Sequence, residues 1–421
     1  MEKIIKDRYE GKLKPEELDE AYIHQTYKEL SKGVAKGYGP KFDNILDDEG
    51  NPSPEVMMMR QNLFRFSMAK DVAMLTEINQ YLSGGDKVMR FEEFRDKVLK
   101  LNKRYNLNYL RAEYNTALQA GKHAADWEHY ERMKDIYPNL EYRTQQDNKV
   151  RDEHAALHGI IAPIDSDFWA VHYPPNGWNC RCFVVQTAAT PTNPKNIPQL
   201  SDKQLRPEFR INVGITGQVF KETDLNDGKP HPYFALVKDQ PELRKAFELA
   251  KLTYAPHTIY KGKNGGKVQL NIFADRKDLL SNYRSAKRIV DEFGINVKLN
   301  PDIDIDGWKN PELNINKIIS DQAVMKTTNL RGFATNTINK KLNKEKGQLK
   351  GLEQCSIVLD IGLKKYSRNE LEGLAAQLKS KIDEHETIIY VYILNGNKTI
   401  RISREDIENE SIFIKIVELN K

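Results

Sequence analysis

In the first third of the chain, apolar residues return every three to four positions, the spacing of one helix face, and this predicts helices over residues 15–133. Pro15 after Lys14 suits a first helical turn. A clearer start is Ser53-Pro54-Glu55, with a capping hydroxyl, proline at the first position and an acid at the positive helix end; Val56, Met59, Leu63 and Phe66 follow as one stripe. Gly84-Gly85 should end that helix. Over residues 109–133, Leu110, Tyr114, Ala117, Gly121, Ala124 and Trp127 form the stripe of a second long helix, and Met57-Met58-Met59 reads as core filler.

The texture then changes twice. Residues 142–185 crowd Arg, His, Trp, Pro and Cys with little periodicity, which predicts loops of special geometry. Residues 187–200, with Pro191, Pro194 and Pro198 among Thr and Asn, read as an extended linker, and Gly, Pro and His continue to residue 256. From residue 267 strand and helix periods mix: strands over 268–273, 295–299, 313–319, 322–327, 357–359 and 388–394, and helices over 276–293 (stopped by Gly294), 333–346 and 368–382. From the helix at 276 the order is α-β-β-β-α-β-α-β, enough chain for one independent core. The expected class is α+β and multidomain: a mainly helical module over 1–186, a Pro-rich linker and module tail over 187–256, and a small α/β domain over 257–421.

Composition narrows the options. Charged residues make up 30% and hydrophobic ones 39%, and every apolar run is far shorter than the ~18 residues a spanning helix needs. The first eight residues lack the apolar core of a secretory signal, so synthesis in the cytosol and no membrane partner are expected. Cys180 and Cys182 are one residue apart, too close for an ordinary disulfide, which leaves Cys355 unmatched and excludes a disulfide scaffold. The net charge of +5 is small, but residues 256–421 carry about 28 bases against about 22 acids, so a polyanion partner belongs to that part.

Two clusters carry candidate chemistry. The first runs through Tyr142-Arg143-Thr144, Arg151-Asp152-Glu153-His154, His158-Gly159, Asp167-Phe168-Trp169 and Pro174-Pro175-Asn176-Gly177-Trp178-Asn179-Cys180-Arg181-Cys182. His154, His158, Cys180 and Cys182 could supply a two-Cys, two-His set for zinc; the bland alternative is that they are buried packing groups. Arg151 and Arg181, with Asp147, Asp165 and Asp167 nearby, are expected in buried ion pairs. These motifs, with Glu113, Asn115, Thr116 and Ala117 before them and Asn212-Val213-Gly214 and His231-Pro232-Tyr233 after, resemble the phage Mu F-like head morphogenesis family, the minor head proteins of tailed phages, over residues 1–236. The resemblance implies a virion component assembled in the host cytoplasm, with portal and capsid proteins as partners.

The second cluster begins with Asn310-Pro311-Glu312 and continues with Asp321, Gln322 and Lys326. Carboxylates converging from adjacent strands can hold a divalent ion such as Mg at a phosphodiester, with a lysine beside them for the developing charge. Restriction-like nucleases supply those groups as Pro-Asp and then acid, any residue, Lys; here Glu312 replaces the Asp, and Val324 stands two before Lys326. Lys326, Arg331, Lys340, Lys341, Lys344, Lys346 and Lys350 fall in one 25-residue window with Glu345 as its only acid, a density that suits phosphate contacts or a solvated helix face. Residues 276–404 resemble the C-terminal nuclease domains of contact-dependent inhibition toxins, through Ala286, Gly294, Val297, Asn310-Pro311, Lys326, Gln354, Val358-Leu359-Asp360 and a strand over 400–404. That implies Glu312, Asp321, Lys326 and Gln354 as the catalytic set, with Gln354 orienting the site; Arg331, Lys340, Lys341 and Lys344 on nucleic acid, RNA favoured; and an immunity protein as a further partner. A barnase-like or colicin-like ribonuclease, which needs no metal, is the competing assignment. A different class also remains: a structural minor capsid protein whose last domain binds portal, scaffold or DNA and cleaves nothing. His257 reads as an exposed linker histidine and Cys355 as a packed thiol.

Overall fold

A computed structural model describes residues 6, 9–10, 18–83, 89–223, 229–238, 240–396 and 398–420. The expected starts and stops at Pro15 and Gly84-Gly85 lie outside the described residues. The chain forms two compact units, one of residues 1–47 and 53–250, the other of Asp48–Pro52 and Lys251–Lys421. The architecture is helical in the first and sheet-centred in the second.

In the first unit, helix α1 (Glu20–Tyr38) is capped by Asp19, whose side chain accepts from Tyr22 N, and buries Ile23, Leu30 and Val34 at helical spacing. Helix α2 (Pro54–Ser83) starts as expected, with Ser53 Oγ accepting from Val56 N at 3.2 Å. The single apolar stripe expected for α2 understates its burial: Met57, Met59, Asn62, Leu63, Phe64, Phe66, Met68 and Lys70 are all covered, so this is the central helix of the unit. Helix α3 (Phe91–Lys103) passes through a π-helical turn, Arg104–Tyr109, into α4 (Leu110–Met133).

Helices α1 and α4 approach until backbone meets backbone. A Cβ on Gly121 would lie 2.5 Å from Val34 O, and one on Gly37 would lie 2.1 Å from Leu118 O. The obstacle is main chain, which cannot rotate aside. Gly121→Ala should therefore separate the helices and cost about 1–3 kcal/mol. Thermal denaturation of the full chain checks this, and an unchanged midpoint would mean that the contact gives more easily than its geometry implies.

Residues 142–185 are more regular than their texture suggests. Strands β1 (Asn139–Arg143), β2 (Ile161–Pro163) and β3 (Phe183–Thr187) form an antiparallel sheet in the order β2-β1-β3. Each is too short to show a period. Of the segment 187–256, read as linker and module tail, residues 187–250 fall in the first unit, as a module tail would, and 251–256 in the second. Thr192 Oγ1 accepts from Ile161 N at 2.9 Å, Asn62 holds Phe220 by both its N–H and its carbonyl, and the Phe66 and Phe220 rings stack at 3.8 Å. Residues 187–200 themselves are mostly irregular and without a buried residue, whereas Phe209, Ile211, Val213 and Val219 after them are buried.

Among the described residues the second unit is one eight-stranded sheet in which each strand lies beside its neighbours in chain order. Its strands are β4 (His257–Lys261), β5 (Lys267–Leu270), β6 (Val297–Leu299), β7 (Leu313–Ile315), β8 (Ile318–Val324), β9 (Cys355–Asp360), β10 (Ile388–Asn395) and β11 (Lys398–Ser403). Strands β5, β6, β8, β9 and β10 run in one direction, and β4, β7 and β11 run against them. Helix α5 (Leu279–Phe293), ended by Gly294 at φ 64°, lies on one face, with Phe293 against Tyr392. Helices α6 (Leu330–Leu342) and α7 (Arg368–Glu384) cover the other, over Ile357, Leu359, Val391 and Ile393.

One expected strand is two. Asn316 and Lys317 both have positive φ, 48° and 73°, and turn the chain between β7 and β8 as a two-residue hairpin. The following strand therefore begins at Ile318 rather than Gln322, and Lys326 falls beyond its end. His257, read as a linker residue, is half-buried in β4, with Nε2 2.8 Å from the Tyr254 hydroxyl. The short helices Arg404–Glu408 and Ile412–Val417 had no expected counterpart. Cys355 is buried in β9 as a packed thiol.

Candidate functional site

A cleft of about 710 Å³ opens in the second unit where β5, β6 and β8 end and β7 begins. Carboxyl ends of parallel strands are a usual place for such clefts, since backbone diverges there and leaves side chains unpacked. Glu312 precedes β7, and its carbonyl accepts from Asn300 N at 2.9 Å. Its own N–H donates to Asp321 Oδ1 at 3.4 Å across the hairpin. Asp321 is 2% exposed in β8, and Lys341, reaching in from α6, bonds its Oδ2. Burial, reinforced by the Asp321 charge and opposed by Lys341, pushes the Glu312 carboxyl up to about 7.

Gln322 adds a neutral oxygen. Its Nε2 donates to Ser281 Oγ at 2.9 Å, while its buried Oε1 has no hydrogen-bond partner among the described residues. Lys326, Lys340, Lys344 and Lys346 are exposed along the cleft and give it a basic rim over an acidic floor.

The hairpin therefore brings Glu312 and Asp321 together, and Lys326 joins them at the rim. Gln354 does not join them: it sits in the exposed bend before β9, at the amino ends of the parallel strands, because Ser356 pairs with Ser320. Arg331 also stays outside the lining, with its Cδ 3.8 Å from where a Cβ on Gly373 of α7 would lie. Two participants were not read as such from the sequence, Lys341 as the cation on the buried acid and Gln322 as the unpartnered acceptor. The buried stripe Leu330, Ala334, Thr337, Ile338 and Leu342 contains the signal for Lys341, because 341 lies three and four residues after two of its members.

In the first unit, His154, Cys180 and Cys182 converge. His154 Nδ1 is 3.4 Å from Cys182 Sγ and 3.7 Å from Cys180 Sγ, and all three ligand atoms lie within 4.8 Å of one another. His158, named in the same set, is elsewhere: its Nδ1 accepts from Thr144 N at 3.0 Å and its Nε2 meets Gln146. The pair's hydrogen bonding holds the Cys180 thiol well below the ordinary range and raises that of Cys182. The expected buried ion pairs are not buried here. Arg181 binds Asp147 by two 2.7 Å bonds at the surface, Arg151 donates to Trp178 O at 2.7 Å, and Asp165 faces Lys134 at 3.8 Å. The Arg181 hydrogen bonds lower the Asp147 carboxyl to about 2. Among the described residues no helix is long and apolar enough to cross a membrane.

The N-terminal part carries a Mu F-like domain: residues 74–185 match the family described as Phage Mu protein F like protein. Over 130 residues the chain is 42% identical to the putative capsid assembly protein F of Escherichia phage Mu, covering 30% of this chain and 28% of that protein. Over 118 residues it is 37% identical to the Mu-like prophage FluMu F protein of Haemophilus influenzae, covering 27% of each. The chain thus spans less than a third of the length of these curated relatives. Among solved structures, a CdiA-CT/CdiI toxin and immunity complex from Burkholderia pseudomallei aligns at 22% identity and a TM-score of 0.22, over 30% of this chain and 85% of that one. At that TM-score the alignment carries no argument about the fold.

Proposed function

We propose that the protein is a phage minor head component whose first unit joins portal and capsid proteins during head assembly, and whose second unit is a nuclease cutting phosphodiesters, RNA in preference to DNA. The first half of this reading is supported by the Mu F-like domain and by the two capsid-assembly relatives. The second is carried by one observation: Glu312, Asp321 and Lys341 meet in a cleft rimmed by lysines.

The oxygens of Asp321 and Gln322 suit a hard divalent cation such as Mg, the buried Gln322 Oε1 having no hydrogen-bond partner among the described residues, and Glu312 stands beside them as the base. Such an ion, when bound, would supply charge to the scissile phosphate. The chain's own groups do the rest. Rim lysines hold flanking phosphates, Lys341 stabilises charge on the phosphoryl oxygens, and Glu312, titrating near neutrality, accepts a proton from the attacking hydroxyl or water. A protein covering this basic rim would serve as the immunity partner. The chain would then act in the virion head and, during assembly, in the host cytoplasm.

The Lys341–Asp321 bond favours one rival, since it already neutralises the acid a cation needs; a binding domain without catalysis would keep that pair permanently. The test uses the purified full chain on total RNA, tRNA and duplex DNA, with Mg and then with EDTA. RNA cleavage, abolished by EDTA and lowered at least about a hundredfold by Asp321→Asn, is expected. Cleavage that survives EDTA would indicate the metal-independent route, and intact nucleic acid with folded protein would leave the binding domain. Lys340→Ala/Lys344→Ala should weaken RNA binding and lower the salt slope by about 1–2.

A further inference from the structure

The ligand atoms brought together in the first unit are one imidazole nitrogen and two sulfurs, all on residues 2–4% exposed. Their spacing can be compared with what a zinc ion imposes. For a tetrahedral ion with Zn–S of about 2.3 Å and Zn–N of about 2.05 Å, the nitrogen and a sulfur should be about 3.6 Å apart. The two observed separations, 3.4 and 3.7 Å, bracket that value.

The local backbone explains how a Cys-x-Cys spacing achieves this. Burial alternates over Cys180, Arg181 and Cys182, buried, exposed, buried, as in an extended segment whose residues i and i+2 share a side. Both sulfurs therefore point inward while Arg181 reaches out to Asp147. The third ligand arrives from the helical turn Asp152–Ala155, which presents His154 to the same spot. The neighbouring imidazole of His123 has Nε2 3.1 Å from Cys182 O and Nδ1 3.8 Å from Asp126 Oδ2, and it is not among the residues whose ligand atoms converge.

We propose that His154 Nδ1, Cys180 Sγ and Cys182 Sγ bind one zinc ion, with the fourth tetrahedral position open. These three residues also line a cleft of about 400 Å³ with Lys149, Arg151 and Arg181 at its wall. Closed structural sites take all four ligands from the chain, whereas three ligands beside a cleft leave room for water or an exogenous anion, which the basic wall favours. Zinc takes both sulfurs as thiolates, and any proton they still carry is released to solvent on binding. The zinc and its two thiolates are together neutral, which suits a buried position.

The full chain, expressed with zinc in the medium and purified without chelator, should contain about one zinc per molecule by elemental analysis. His154→Ala, Cys180→Ser and Cys182→Ser should each reduce this at least about tenfold, and His158→Ala should leave it unchanged. Because a buried cysteine variant can fail to fold, the wild-type protein reconstituted with cobalt gives an independent reading. Thiolate-to-cobalt charge transfer and intense tetrahedral bands are expected, with the visible bands shifting on addition of azide. Zinc below about a tenth of an equivalent, or a cobalt spectrum without sulfur charge transfer, overturns the site. Loss of metal in His158→Ala overturns the ligand assignment, and bands indifferent to azide overturn the open position.

Discussion

Replacing Glu312 with Gln should abolish cleavage by the second unit and, at the same pH, make that unit more stable. The carboxyl rises from 4.5 to about 7 because burial and the Asp321 charge disfavour its ionised form more than Lys341 favours it. A raised carboxyl means that the folded state binds the proton more tightly than the unfolded one. Stability from this group is therefore fully present below pH about 4.5, falls as pH rises, and is lost once pH passes about 7. A glutamine imitates the protonated acid at every pH. The variant and wild type should match at pH 4.5 and separate above it, by at most about 3 kcal/mol at pH 8. Denaturant midpoints with EDTA present, taken at pH 4.5 and 8, measure the difference. Nuclease activity at pH 8 should fall by about a hundred- to ten-thousand-fold in the same variant. A stabilised and inactive protein is what a retained functional strain produces. If the variant is instead destabilised at pH 8, Glu312 is an ordinary structural partner and the active-site reading loses its base.

Glu312 and Asp321 were legible because residue type and order carried them. Asn310-Pro311-Glu312 marks the start of β7, and Asp321 is the one acid in β8, between Ser320 and Gln322. The register between them was not legible. It depends on Asn316 and Lys317 both adopting positive φ, and lysine is a poor advertisement for that conformation. With the turn unseen, β8 was placed four residues late, and Lys326 seemed to belong to its strand while Lys341 was read as a nucleic-acid contact rather than as the partner of Asp321. Gln354 failed for a related reason: it precedes β9, and the sequence does not tell that β9 runs parallel to β8, which puts its start at the end away from the cleft. The long helices were read well where a period ran for several turns, as in α4 and α5. The packing of the module tail was not legible, because the burial of Phe220 depends on Asn62 and Phe66 more than a hundred residues away.

The same tension between charge and burial appears in the first unit, where it should produce the largest loss of stability from a single change. Lys70 of α2 and Glu113 of α4 bond each other with side chains 0% and 2% exposed. Burial lowers the Lys70 pKa and raises that of Glu113, each shift opposed by the partner's charge and hydrogen bond, with Tyr233 Oη adding a 3.4 Å hydrogen bond to Glu113. Lys70→Met removes the counter-charge and leaves a buried carboxylate, at a cost of about 3–5 kcal/mol. Glu113→Leu leaves a buried ammonium and should cost as much. The loss in Lys70→Met has a definite sign with pH: without its partner Glu113 keeps its proton more tightly when folded, so the deficit is small below the ordinary glutamate range and grows as pH rises. Combining Lys70→Met with Glu113→Leu removes both charges and fills the gap with apolar groups. The double variant should therefore regain most of the stability that either single change loses, a coupling of several kcal/mol in a double-mutant cycle. Denaturant unfolding of the four proteins at pH 5 and 8 measures it. Simple additivity of the two single changes would mean that the residues act independently, and that the bond between α2 and α4 contributes little to holding these helices together.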